Sequence, residues 1–361
     1  LMRETASELS FPAAAVARER GVVLAEMRER DSWQYREMVN RFGFLDPDAR
    51  YTHRLPIGTT EALNAATADS LAGFWRAHYV PANSVLVVVG DVDVAAVEAA
   101  IRSHFASWAA APAAAQPAAG PVAPADAGRS AVYLDPALSE RLVITRRAAW
   151  RPEPDTQAQR REDLLRRIGY AIVNRRLQHI ARQPNLPFRE AVFGSGDLFR
   201  AGRATSLVID AVDGQWRRAM AVAAQTYRQV LDQGITRAEL DEQIANIHTA
   251  AEHAAAGAAT RGSGELLGAV FALLRDEAVP SDPVADAARI EGWLGAITPE
   301  AVLAALKADV VPLDNPLIRF QGRKAPDGNT EGLRTAWNEA MRSPLPARTA
   351  ATASGFAYAD F

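Results

Sequence analysis

The chain has 361 residues, enough for two domains of ordinary size, and its 48% hydrophobic and 23% charged residues let it bury cores rather than stay disordered. A formal charge of -3, with both signs interspersed, provides no basic field for phosphates, so nucleic acid is a poor partner. The absence of cysteine removes disulfide frameworks, thiolate metal sites and cysteine nucleophiles together.

No apolar run reaches the ~20 residues of a membrane span, and no charged n-region followed by an apolar stretch opens the chain. Leu1 in place of a start methionine, followed at once by a charged segment, gives the expectation of an internal fragment. Val16, Val23 and Met27 predict a first helix over 13–30. A mixed segment with Gly43 and Pro47 leads to a second helix over 60–78, ended by Tyr79-Val80-Pro81. The β-branched run 84–89, closed by Gly90-Asp91, has the pattern of a buried strand, and a third helix is predicted over 94–108 with His104 on its inner side.

Residues 109–128 are mostly alanine with Pro112, Pro117, Pro121 and Pro124, a spacing that blocks a stable helix and predicts a semi-rigid linker. Beyond it, strands are predicted at 131–134, 142–150, 203–212 and 317–321. Helices are predicted over 155–182, 215–233, 237–255, 264–275 and 284–294, and Thr298-Pro299-Glu300 opens one more with a capping residue and a proline at its first position. The tail from Lys324 carries no core-forming pattern. The expected domains are therefore 1–108 (the C-terminal part of a first domain), the linker 109–128, a second domain over 129–325 and a connecting tail over 326–361. Both domains are read as α+β, with helices over one sheet face.

Glu19 and Glu26 carry the most informative spacing. Seven residues at 100° each place them within about 20° of one another on a helix, beside Val16, Val22, Val23 and Met27. Carboxylates on a largely apolar face need pairing or a metal. Arg18, Arg20, Arg28 and Arg30 could supply the pairing, so the helix alone leaves a salt-bridged surface face as one reading and a metal ligand as the other.

A longer pattern adds to this. ERGVVLAEMRERD (Glu19 to Asp31) and HRLPIGTTEALNAATADSLAGFWRAHYVPANSVLVVVGDVD (His53 to Asp93) resemble, in order, a stretch of the pitrilysin/insulysin-type (insulinase-like) zinc metallopeptidases. The likeness covers most of residues 10–108, whereas the second domain matches more in element order than in motif. It implies the α+β domains of the pitrilysin and mitochondrial-processing-peptidase type, the first lacking its N-terminal part. In that family an inverted H-x-x-E-H helix supplies two zinc-binding histidines and the catalytic Glu, and a downstream Glu completes the ligands. By position Glu26 matches the third zinc ligand, and Glu19 an additional acidic residue that supports a ligating histidine. The resemblance further implies a peptide or protein substrate, a second homologous half or subunit closing a chamber, and a fragment inactive by itself; the alternative is a non-catalytic partner subunit of the same fold. For the compartment, the periplasm or cytoplasm of a bacterium is expected, with the periplasm preferred.

No H-x-x-E-H occurs in these 361 residues. His248 and His253 are five apart, about 140° around a helix, and cannot face one metal. His53 and His78 are read as bonding locally, His104 as a core or boundary residue and His179 as closing a helix. Gly262-Ser263-Gly264 reads as a helix start, and Phe193-Gly194-Ser195-Gly196 as a loop joining strands that resembles a nucleophile elbow in letters only.

Overall fold

A computed structural model describes residues 1–120, 122 and 128–347. Contacts divide these into two units: 1–43, 47–120 and 260–280 in the first, and 44–46 with the described residues of 121–259 and 281–361 in the second.

The first unit is built on helices that bury almost none of their residues. Helices α1 (Met2–Ser7), α2 (Ala13–Arg30) and α3 (Trp33–Leu45) come first, α3 within the segment read as mixed. The helix expected over 60–78 is broken into α4 (Thr60–Ala65) and α5 (Ala68–His78). Thr67 causes the break: its hydroxyl accepts from the Ser70 amide while the Ser70 hydroxyl accepts from the Thr67 amide, a capping box that starts a new helix. Asp93 caps α6 (Val94–Phe105) through the Ala96 amide, and α6 ends three residues short of Trp108.

The strand expected over 84–89 does not form. The segment is extended but finds no strand to pair with among the described residues of this unit, and Val85 and Val88 stand 69% and 48% exposed. A strand needs a partner ladder, and an apolar run without one keeps its pattern but not its structure. No strand lies in this unit among the described residues, so the expected sheet-plus-helices character belongs to the second unit alone. His104 is exposed rather than in a core, because α6 buries none of its residues. Residues 109–120 carry no regular structure; 121 and 123–127 of the expected linker lie outside the described residues.

The second unit holds the core. Strands β1 (Ser130–Leu134) and β2 (Arg141–Ala148) precede α7 (Gln157–Ile180), capped by Thr156. Then come β3 (Phe188–Leu198), β4 (Gly202–Ala211), α8 (Trp216–Gln233) and α9 (Arg237–Ala256), the last opened by a Thr236/Glu239 capping box. After α10 (Ser263–Asp276), which belongs with the first unit, follow α11 (Pro283–Leu294), α12 (Pro299–Asp309), β5 (Leu317–Gly322) and α13 (Asn329–Arg342). Residues 193–196, expected in a loop, lie inside β3. The missed strand is rich in glycine and charge, and its pairing with β4 rather than its composition sets its conformation.

The sheet order is β1-β5-β2-β4-β3, with β1 and β5 parallel and the other pairs antiparallel. Alternation along the strands turns Leu142, Ile144, Phe193, Leu207, Ile209, Ile318 and Phe320 to one face, where α7, α8 and α13 cover them. Phe193 stacks on Tyr227 at 4.9 Å and Tyr227 on Trp337 at 6.5 Å, which carries the core from β3 into α13. This corrects the reading of the tail: Leu333, Ala336, Trp337 and Ala340 are buried along one stripe of α13. The opposite sheet face holds Thr145, Arg147, Arg319 and Gln321, also buried.

Candidate functional site

α2 carries both predicted site residues. It buries no residue, and the side chains of Glu19 and Glu26 are 65% and 44% exposed. The Arg30 guanidinium lies 2.5 Å from Glu26 Oε1, one helical turn on, and Arg18 lies 3.5 Å from Glu19. Such exposed pairs are worth only about 0–1 kcal/mol, so an incoming cation could displace Arg30 from Glu26 at little cost. Arg20, on the same helix, donates to the carbonyl of Ala66 at the break between α4 and α5, and Thr60 donates to the Met27 sulfur at 3.5 Å. These contacts orient α2. Glu19 also borders a cavity of about 360 Å³ whose walls include Phe11, Val16, Val23 and Leu71.

The donor set for a metal is incomplete. Among the described residues no group of three His, Cys, Asp or Glu side chains is placed to hold an ion. His248 Nδ1 lies 2.8 Å from Glu291 and Nε2 3.4 Å from Glu252, so both ring nitrogens face carboxylates. His53 bonds locally, to the carbonyl of Pro47 at 2.7 Å. A zinc ion at Glu26 would need donors that the described residues do not place there.

The elbow-like letters at 193–196 have no nucleophilic chemistry either. Ser195 Oγ lies 2.6 Å from the Tyr170 hydroxyl oxygen and shares a hydrogen bond with Thr205 at 2.5 Å, with no histidine in the cluster. The cluster centres on Asp309, which accepts from Tyr170 at 2.7 Å and from Arg203, while Arg166 lies 3.3 Å away. Burial pushes the Tyr170 phenol well above its ordinary range, so it stays a donor. On the other sheet face Arg147 clasps Asp46 with two hydrogen bonds of 2.7 and 2.8 Å. Both assemblies join residues a hundred or more apart in sequence, and no local signal pointed to them.

The family described as "Peptidase M16 inactive domain" matches residues 65–247. The chain belongs to this family. The matched stretch begins within the second of the two resembling segments and runs through much of the second unit, and it leaves Glu19 and Glu26 outside it. The stromal processing peptidase of Oryza sativa subsp. japonica is 24% identical over 294 residues, 66% of this chain and 24% of that protein. The probable zinc protease PqqL of Escherichia coli is 31% identical over 93 residues, 26% of this chain and 10% of that protein. This chain thus spans about a quarter or less of the length of these relatives.

Among solved structures, the first half of the periplasmic protease PqqL from Escherichia coli superposes with a TM-score of 0.81 at 18% identity, over 94% of this chain and 73% of that one. Pitrilysin superposes with a TM-score of 0.62 at 14% identity, over 94% of this chain and 37% of that one. These likenesses establish the insulinase-like α+β fold. The relatives' names make the family one of zinc proteases, and this chain is a domain of the inactive type without the H-x-x-E-H motif.

Proposed function

We infer that these residues form part of a zinc-dependent endopeptidase, contributing Glu26 as one metal ligand and Glu19 as its support, with the histidine ligands and catalytic Glu supplied from outside the 361 residues. The observation that carries this reading is the fold match to a protease half over 94% of the chain, in a sequence without H-x-x-E-H. Alone the chain hydrolyses nothing. In the assembled protein its substrate is a peptide or protein, its partner a second homologous half or subunit, and its compartment the bacterial periplasm, as for the PqqL relative. Among the described residues no helix is long and apolar enough to cross a membrane.

A second reading is favoured by the inactive-type family match: a partner subunit that keeps the fold without metal chemistry. Reading the encoding frame beyond Leu1 separates the two. An H-x-x-E-H several tens of residues before Glu26 supports the peptidase, and a frame without one leaves only the partner role.

A further inference from the structure

The strand order leaves β3 at one edge of the sheet, and at eleven residues it is more than twice as long as β1 at the other. A long open edge offers unpaired N–H and C=O groups to any strand that approaches, a second copy of the same chain first among them. Along β3 the backbone groups alternate between facing β4 and facing outward. Both groups of Phe193 face outward, because its N–H donates to Asn174 Oδ1 at 2.8 Å and its C=O accepts from Asn174 Nδ2 at 3.0 Å. One side-chain amide on α7 therefore makes the two hydrogen bonds that a neighbouring strand's backbone would make to Phe193.

A cavity of about 720 Å³ lies alongside, between α7, α9 and the first half of β3, with Arg175, Gln178, Glu190, Val192 and Asn246 among its walls. Val192 is an exposed apolar residue on the same strand. We propose that Asn174 is an edge guard: its carboxamide occupies the central outward-facing position of β3 and prevents a second copy of the chain from adding to the sheet there.

Asn174→Leu keeps the branching and heavy-atom number of the side chain and removes both hydrogen bonds. Sedimentation velocity of the full chain should show its apparent self-dissociation constant falling by about tenfold or more. Adding Val192→Lys, a charge on the edge strand, should return the protein to wild-type behaviour. Unchanged association of Asn174→Leu, or association that Val192→Lys does not reverse, overturns the proposal. Should Asn174→Leu fail to fold, amide hydrogen exchange of the unaltered chain decides. The Phe193 amide should exchange more slowly than those of Ala191 and Ser195, which face the same open side, and an equal or faster rate contradicts the guard.

Discussion

Asp309 is the residue whose removal the second unit should tolerate least for its size. It ends α12, its side chain is 2% exposed, and it receives the Tyr170 hydroxyl and the Arg203 guanidinium with Arg166 beside it. Asp309→Ala removes the shared anion and leaves two largely buried cations with less charge to balance them. Truncating one partner of a buried ion pair costs about 3–5 kcal/mol. Asp197 at 3.0 Å from Arg203 and Glu153 at 2.9 Å from Arg166 compensate in part, which puts the expectation at the lower end, ~3 kcal/mol. At roughly 2–4 °C per kcal/mol for a domain of this size, the melting point falls by about 6 °C or more. Asp163→Asn removes a half-exposed partner of the same Arg166 and should cost under ~1 kcal/mol. Near-ultraviolet circular dichroism melts of both variants make the comparison. An Asp309→Ala variant within 1 kcal/mol of wild type, about the effect expected of Asp163→Asn, would refute the reasoning.

Trp337→Ala, in the middle of α13, should cost about 3–5 kcal/mol in denaturant titrations, because its ring is buried against Tyr227 and its indole N–H donates to Leu313. Glu26→Gln should shift the melting point of the chain by no more than a degree or two, since it loses one ion pair with the largely exposed Arg30. His248 titrates above its ordinary value of 6.5 because Glu291 accepts from its ring and Glu252 adds attraction. A raised folded value means that the contribution is fully present below the unfolded pKa and lost as pH rises through the folded one. The melting-point difference between wild type and His248→Gln should therefore favour wild type near pH 5.5 and shrink by pH 8.5; a difference independent of pH counts against the α9–α11 contact acting in this way.

Much of the fold was legible where local rules act alone. Thr298-Pro299 announced α12 because capping chemistry is written in adjacent residues, and the strand expected over 142–150 forms as β2 (Arg141–Ala148). Long-range partners decided the rest. Val85 to Val89 has strand composition but no ladder, while the glycine-rich 193–196 has poor strand composition and a complete ladder with β4. Trp337 and Leu333 were hidden in a tail of Pro, Ala, Thr and Gly, though their four-residue spacing is that of a helix stripe. For the candidate site, the spacing of Glu19 and Glu26 predicted a shared helix side, and their pairing with Arg18 and Arg30 follows from sequence neighbours. The solvation of that side could not be read, because it depends on what the helix packs against. The Asp309 cluster was out of reach for the same reason, its members brought together only by the sheet.

The most direct test of the central claim uses the purified 361-residue chain, dialysed against zinc, in a fluorogenic peptide-library hydrolysis assay with and without chelator, alongside its bound zinc by atomic emission. The expected result is no hydrolysis above background and no stoichiometric zinc, with Glu26→Gln indistinguishable from wild type. Chelator-sensitive hydrolysis by the chain, or one tightly held zinc per molecule, would contradict the account.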